Sequence, residues 1–225
     1  AAGLAISEKL WAQTNGYAVG TNNAADGINL LNVADGSLST MQDSLQRIRE
    51  LAVQAGNGIY SASDKELIQM EIDGLKASIQ DAAKGTEFNT MKLLDGSQDG
   101  WQIASGGNGT FVSGINATLE ALGIADYDVT GSFDIRKIDE AISMVSKARS
   151  SMGAKSNGLD HQIAYNEYAS LNLTAAQSNI KDADIVDAIM NLKKEQNLEQ
   201  YRLAMMKKKM ENEQNGKMKL FEGML

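Results

Sequence analysis

The chain of 225 residues contains no cysteine and no proline, only one histidine, and 5% aromatic residues. Without cysteine the sequence excludes disulfide scaffolds, zinc ribbons, iron–sulfur clusters and thiol nucleophiles. With one histidine, a metal site would have to be built from carboxylates, and the commonest general base occurs once. Because proline breaks helix interiors, its absence favours long, uninterrupted helices.

The charge is acidic overall but uneven along the chain. The 21 basic and 29 acidic residues give a net charge of −8, which argues against a nucleic-acid partner. Residues 191–225, in contrast, hold eight basic and five acidic residues. No stretch approaches the ~18 apolar residues of a membrane-spanning helix, so we predict no membrane insertion. The chain begins with Ala1 and not with methionine, so we expect a fragment whose natural N-terminus lies upstream.

The spacing of apolar residues predicts two helices in the first part of the chain. Residues 4–55 carry an apolar stripe in three- and four-residue steps, interrupted once by Asp35. A shorter helix is predicted over residues 63–84, opening at Ser63 with Glu66 as its capping-box partner.

Helical spacing returns in the last third of the chain. A helix is predicted over residues 137–180, followed by a joint at Lys181–Asp184 and a final helix that is basic and rich in methionine. The final helix carries an apolar stripe that we expect to be an assembly surface of an inner coiled coil: Ile185, Ile189, Leu192, Leu203, Met206 and Met210.

Residues 88–130 separate these helices and differ from them in composition. Glycine, serine, asparagine and aspartate punctuate short apolar runs there. The runs Trp101–Ile103 and Thr110–Val112 flank the glycine-rich stretch 106–109, which predicts a β-hairpin.

The predicted fold class is therefore mainly α: an elongated antiparallel bundle or coiled coil of long helices with a small β-hairpin region. We expect a core domain over residues 1–181 and a C-terminal helix over residues 182–225. Helix 4–55 should pack antiparallel to helix 137–180, with helix 63–84 as the third member. The expected core residues are Ile28, Leu31, Leu38, Leu45, Ile48, Ile142, Val145 and Ile163.

Motifs that would carry chemistry are weak. Asp95–Gly100 matches the first half of a calcium loop, but Gly106 stands where the bidentate glutamate belongs, so a polar turn is the preferred interpretation. The chain has no phosphate loop, HExxH motif or serine elbow. We predict no enzymatic activity, no cofactor and no metal site.

The stretch Leu45–Gln54 has the pattern of an interaction surface. Arg47, Leu51 and Gln54 share a helix face beside the apolar stripe, and an exposed leucine between polar residues is typical of a binding site. The alternative is an ordinary amphipathic helix, which periodicity alone does not reject.

Four ordered blocks of sequence resemble bacterial flagellin over nearly the whole chain. The blocks are Ala1–Leu10, Leu45–Gln54, Thr86–Asn89 with Lys92–Gly96, and Leu173–Ala176 through Ile180–Ile185.

The resemblance implies a structural subunit that polymerises into the extracellular flagellar filament for motility. Such subunits pass through the flagellar secretion apparatus without a cleaved signal peptide. The implied partners are further copies of the chain, an export chaperone, and the filament cap and junction proteins. A host Toll-like receptor for flagellin is a further implied partner, and the corresponding receptor face is Gln46, Arg47, Glu50, Leu51, Gln54 and Glu71.

The sequence also departs from the family pattern. Compared with the family that it resembles, we expect the sequence to lack the N-terminal strand of the inner coiled coil and the variable outer domains, and its last residues are more charged than the family's tail. Two alternatives stay open: a hook–filament junction protein of the same family, and a secreted helical adhesin or immune ligand.

Overall fold

The computed structural model describes the backbone of residues 2–107 and 109–222, and all their side chains except those of residues 2, 183–185 and 215–222. Over these residues the predicted mainly α fold with a small β region is confirmed. The elements are α1 (Ala2–Ala55), α2 (Ala62–Gly85), β1 (Glu87–Phe88), β2 (Met91–Lys92), β3 (Gly100–Ile103), β4 (Thr110–Ser113) and α3 (Arg136–Glu222).

Helix α3 is one continuous helix of 87 residues, so the predicted joint at Lys181–Asp184 is wrong. The stretch contains no glycine or proline, and charged residues alone do not interrupt a helix. The Ser178 hydroxyl also donates to the Asp182 carboxylate one turn further on, which links the preceding helix to the start of the supposed joint.

The chain forms two compact units, one of residues 14–170 and the other of residues 1–13 with 171–225. Both α1 and α3 contribute to each unit. The division expected from the sequence placed residues 1–13 with the core domain, whereas the structure groups them with the C-terminal part of α3.

Within residues 14–170, α1 runs antiparallel to α3. The Arg49 guanidinium lies 2.6 Å from the Asp139 carboxylate, and Arg149 donates to Asp35 at 2.8 Å, so residue numbers fall along α3 as they rise along α1. Arg149 also donates to Gln42 at 3.0 Å. The polar interruption of the first apolar stripe is therefore matched by a partner on the facing helix.

Helix α2 begins at a different cap from the predicted one. The capping box is formed by Ser61 and Asp64, not by Ser63 and Glu66, because Ser61 has the extended backbone of an N-cap while Ser63 already lies inside the helix. The Asp64 amide donates to the Ser61 hydroxyl at 3.2 Å, and the Ser61 amide donates to the Asp64 carboxylate at 2.9 Å.

The core of this unit fills the space between the three helices and the loops after α2. Among the predicted core residues, Leu31, Leu38, Leu45, Ile48 and Val145 are buried. The other three, Ile28, Ile142 and Ile163, are only partly buried and pack against the edge of the core.

The predicted hairpin is confirmed, with β3 and β4 antiparallel and Trp101 opposite Val112. A second hairpin, β1–β2, was not predicted. Its two turn residues, Asn89 and Thr90, both have positive φ, which is the signature of a type I′ turn.

The β3–β4 hairpin rests on α1 at two glycines. A Cβ on Gly20 would lie 2.9 Å from the Ser105 carbonyl, and one on Gly27 would lie 2.4 Å from the Ile103 side chain. The fully buried Asn166 of α3 donates to the same Ser105 carbonyl at 2.7 Å, so the hairpin is held from two helices.

Candidate interaction surfaces

The α1 surface around Arg47 presents the predicted polar face. Five of its six predicted members, Gln46, Arg47, Glu50, Gln54 and Glu71, are exposed. The Arg47 Nε donates to Glu71 at 2.9 Å and its Nη1 to Glu50 at 3.1 Å. These hydrogen bonds raise the pKa of Arg47, with Glu71 as the larger cause. The pair with Glu71 joins α1 to α2, and the two ion pairs together hold the guanidinium in a defined position.

The sixth member, Leu51, is buried with 2% of its surface exposed, so the prediction of an exposed leucine is wrong. The sequence interpretation expected both other helices to pack against α1 but assigned its buried residues to one narrow apolar stripe. Because α1 packs against both α2 and α3, its apolar arc is wider than a single seam and takes in the position after Glu50.

Neighbouring contacts frame this face. Gln54 Nε2 donates to the Tyr60 hydroxyl at 3.1 Å, which ties the end of α1 to the turn before α2. Arg49 is as exposed as Arg47, at 49% and 50% of the side chain, but pairs with Asp139 on α3. The two arginines therefore belong to different faces of the same helix.

The predicted assembly stripe on the C-terminal part of α3 is exposed wherever its side chains are described. Ile189 is 49% exposed, Leu203 58% and Met210 64%. Leu192 and Met206 are similarly open, while the side chain of Ile185 lies outside the described residues. Large apolar side chains are seldom this exposed at successive turns of a helix, and a row of them marks an interaction surface.

A second apolar face on the same segment was missed. Met190, Leu198, Tyr201 and Met205 are exposed by 43–74%. At about 100° per residue they lie on the side of the helix nearly opposite the predicted stripe. The signal was present in the three- and four-residue steps from Leu198 to Met205, but the sequence interpretation followed only one stripe.

A shallow groove of about 1060 Å³ lies along this part of α3. Tyr201, Met205 and Met206 line it, and Lys208 and Lys209 stand at its side. The groove can accept apolar side chains with carboxylates around them.

The start of α1 lies in the same compact unit and also exposes apolar side chains. Leu4 is exposed by 61% and Trp11 by 59%. Ser7 is buried, and its carbonyl accepts a hydrogen bond from Gln177 of α3 at 3.4 Å.

Elsewhere in the described chain, Asp95 and Tyr127 have shifted pKa values that follow from local structure. Asp95 accepts from the Ser97 amide at 2.9 Å, so this stretch is a polar turn. Hydrogen bonds from the Ser97 side chain and amide lower the pKa of Asp95. Burial, aided by Asp134 and Asp139, raises the pKa of Tyr127 to about 12, so the phenol stays neutral. Residues 2–107 and 109–222 hold no cluster of three or more potential metal ligands. No helix in these ranges is both long and apolar enough to cross a membrane.

Comparison with protein-family models matches both ends of the chain. A model of the bacterial flagellin N-terminal helical region matches residues 1–99, and a model of the C-terminal helical region matches residues 135–215. Most of α1, α2 and α3 fall within these matches.

Comparison with individual proteins agrees. The chain is 38% identical over 216 residues to a flagellin of Halalkalibacterium halodurans, covering 92% of this chain and 79% of that protein. It is 37% identical over 256 residues to a flagellin of Bacillus subtilis, covering 96% and 84%.

Solved structures show the same fold. The crystal structure of Bacillus cereus flagellin superposes with a TM-score of 0.57 at 27% identity, over 64% of this chain and 88% of that chain. A putative flagellar hook-associated protein from Vibrio parahaemolyticus superposes with a TM-score of 0.65 at 16% identity, over 77% and 95%. At that identity the second match shows the fold alone.

Proposed function

Because this chain belongs to the bacterial flagellin family, we propose that it is the structural subunit of a bacterial flagellar filament, outside the cell. The observation that carries the proposal is the pair of apolar faces on the C-terminal part of α3. A monomer gains nothing from exposing them, whereas burial between copies would stabilise an assembly by ~25 cal/mol per Å² of apolar surface.

The position of the two faces favours an open polymer. They lie on nearly opposite sides of one helix, so each copy can contact more than one neighbour. Contacts between unlike surfaces that do not close into a ring generate helical filaments. This function requires binding and shape, and no catalytic group takes part in it.

Polymerisation of the full chain under salting-out conditions tests the proposal, with sedimentation and electron microscopy as readouts. Leu203→Lys should prevent tube formation because it places a charge on the predicted stripe. Leu67→Lys is the matched control, since Leu67 is 60% exposed against 58% for Leu203 but lies on α2. Failure of the unaltered chain to form tubes would contradict the filament assignment, and equal assembly of both variants would remove the stripe from it.

We further propose that the exposed α1 face centred on Arg47 is recognised by the host Toll-like receptor for flagellin. Its support is the rigid presentation of Arg47 by two carboxylates beside Gln46 and Gln54. Arginine held in this way is a frequent centre of binding energy at interfaces. Leu51 takes part only by packing beneath this surface.

The receptor proposal is tested by Arg47→Ala, which should weaken receptor binding by ~2 kcal/mol and leave thermal stability nearly unchanged. Arg49→Ala is the control, because Arg49 has the same exposure and also forms one interhelical ion pair. Equal binding by both variants would contradict the proposal that the receptor binds the face around Arg47.

The same exposed faces suit the other partners that the family implies. An export chaperone would cover the apolar side chains before secretion, and cap and junction proteins would meet them at the filament ends. Co-purification of the chain with its chaperone, and loss of that complex on Leu203→Lys, would support the first of these roles.

A further inference from the structure

Methionine is concentrated and exposed on the part of α3 proposed to mediate assembly. Met190, Met205, Met206 and Met210 are exposed by 58%, 69%, 61% and 64%. In the other compact unit, Met41 and Met152 are buried, at 1% and 3%. The chain contains no cysteine, so methionine supplies all of its sulfur.

These four side chains occupy both apolar faces. Met206 and Met210 lie on the predicted stripe, and Met190 and Met205 lie on the opposite side. Each face therefore includes two thioethers among its exposed apolar side chains. We propose that Met190, Met205, Met206 and Met210 are an oxidation site through which peroxides reversibly block self-assembly; this rests on the proposed filament function.

The chemistry is a two-electron oxygen transfer. The thioether sulfur attacks one oxygen of hydrogen peroxide, the O–O bond breaks, and the products are a sulfoxide and one molecule of water. Methionine sulfoxide reductases, with a thiol as reductant, return the sulfoxide to the thioether. The helix keeps its charge throughout, so the change is confined to the polarity of its faces.

A sulfoxide on either face works against assembly because burial removes its polar oxygen from water. A polar group buried without a partner costs about as much as a tenfold change in affinity or more. We therefore expect oxidation of these methionines to raise the concentration needed for polymerisation at least about tenfold. Met41 and Met152 stay reduced under the same treatment because the folded core shields them.

The first experiment uses the unaltered chain. It is treated with limiting hydrogen peroxide, quenched, allowed to polymerise and sedimented, and mass spectrometry then gives the oxidised fraction of each methionine in pellet and supernatant. The methionines of the proposed site, Met190, Met205, Met206 and Met210, should be oxidised mainly in the supernatant, while Met70 should be equally oxidised in both. Equal partition of these four sulfoxides between pellet and supernatant would overturn the inference.

The second experiment uses two sets of leucine substitutions. Replacing Met190, Met205, Met206 and Met210 together by leucine should preserve polymerisation after peroxide treatment. The control variant carries Met70→Leu and Met144→Leu, at positions exposed by 61% and 42% in the other unit. It should still lose the ability to polymerise after peroxide treatment.

Reductase treatment completes the test. It should restore polymerisation of the oxidised, unaltered chain. Loss of assembly by the peroxide-treated four-leucine variant, or protection by the control pair, would place the sensitive group elsewhere and overturn the inference. If the untreated chain formed no polymer, the filament function itself would be contradicted, and the oxidation site would fall with it.

Discussion

At the scale of residues, small and polar side chains determine how α1, α3 and the β3–β4 hairpin pack together within residues 14–170. Gly20 lets the Ser105 carbonyl come close to α1, and Asn166 then donates to that carbonyl from α3. Arg149 gives Asp35 a partner within the seam. In the sequence alone each of these residues interrupts an apolar stripe, whereas in the structure each has a specific partner.

Gly20→Ala should destabilise the protein by ~1–3 kcal/mol, because the new methyl group meets backbone atoms that cannot rotate away. Gly16→Ala in the same helix is the control, since a Cβ there meets open space. It should stabilise by ~0.5–1 kcal/mol through better helix propensity. Denaturant unfolding measures both, and a stabilised Gly20 variant would contradict the close approach.

Ile48→Ala should cost ~2–4 kcal/mol of unfolding free energy, since Ile48 is fully buried in the three-helix core. Val53→Ala, at a position 52% exposed on the same helix, should change it by less than ~0.5 kcal/mol. Chemical denaturation of both variants provides the comparison. Similar losses would mean that the register of α1 differs from the one described.

At the scale of elements, the ends of helices are fixed by local hydrogen bonds. Ser61 and Asp64 cap α2 reciprocally, and Asp134 accepts from the Arg136 amide at the start of α3. Hydrogen bonds from the Ser61 hydroxyl and amide lower the pKa of Asp64, and those from the Arg136 guanidinium and amide lower the pKa of Asp134. The carboxylates are thus held ionised where the first turn of a helix offers unpaired amides.

The cap of α2 makes stability depend on pH and on Ser61. Ser61→Ala should cost about 1 kcal/mol at neutral pH, whereas Ser63→Ala, within the helix, should be nearly neutral. The folded pKa of Asp64 is lowered, so its contribution is present above the unfolded pKa and is lost as pH falls below ~4.

Urea unfolding at pH 7 and in steps down to pH 2.5 measures this dependence. The stability difference between the unaltered chain and Asp64→Asn should shrink across the acidic range. A difference that stays constant down to the lowest pH would show that the cap does not depend on the ionised carboxylate.

At the scale of the whole molecule, the two compact units differ in how their side chains are covered. Residues 14–170 contain a continuous apolar core. In the other unit, the described apolar side chains of residues 186–210 are largely exposed. Most helical stability in proteins comes from tertiary packing, so the two parts of α3 should differ in stability although the helix itself is unbroken.

Hydrogen exchange of the dilute monomer should therefore show fast exchange over residues 186–210 and protected amides at core positions such as Leu38, Ile48 and Val145. Polymerisation should slow exchange in the first segment. Uniform protection of both segments in a verified monomer would contradict the prediction, and sedimentation confirms the monomeric state of the sample.

Local and periodic features were determined by the sequence alone. The absence of proline and the spacing of apolar residues predicted helices over the regions of α1, α2 and α3, although α3 was divided into two, and the glycine-rich stretch between Trp101–Ile103 and Thr110–Val112 predicted the β3–β4 hairpin. These signals are read within one or two turns of chain, where backbone preference and side-chain periodicity act directly. The family resemblance came from the residue identities of four ordered blocks, which are also read directly along the chain.

The tertiary structure decided what depends on more than one partner. Leu51 is buried because α2 and α3 both cover α1, and the stripe read from the sequence was too narrow to include it. Lys181–Asp184 lies within one continuous helix and not at a joint, and Ser61 rather than Ser63 caps α2 because the backbone is still extended at Ser61. Burial and chain path are properties of the folded surroundings, which periodicity along one helix does not contain.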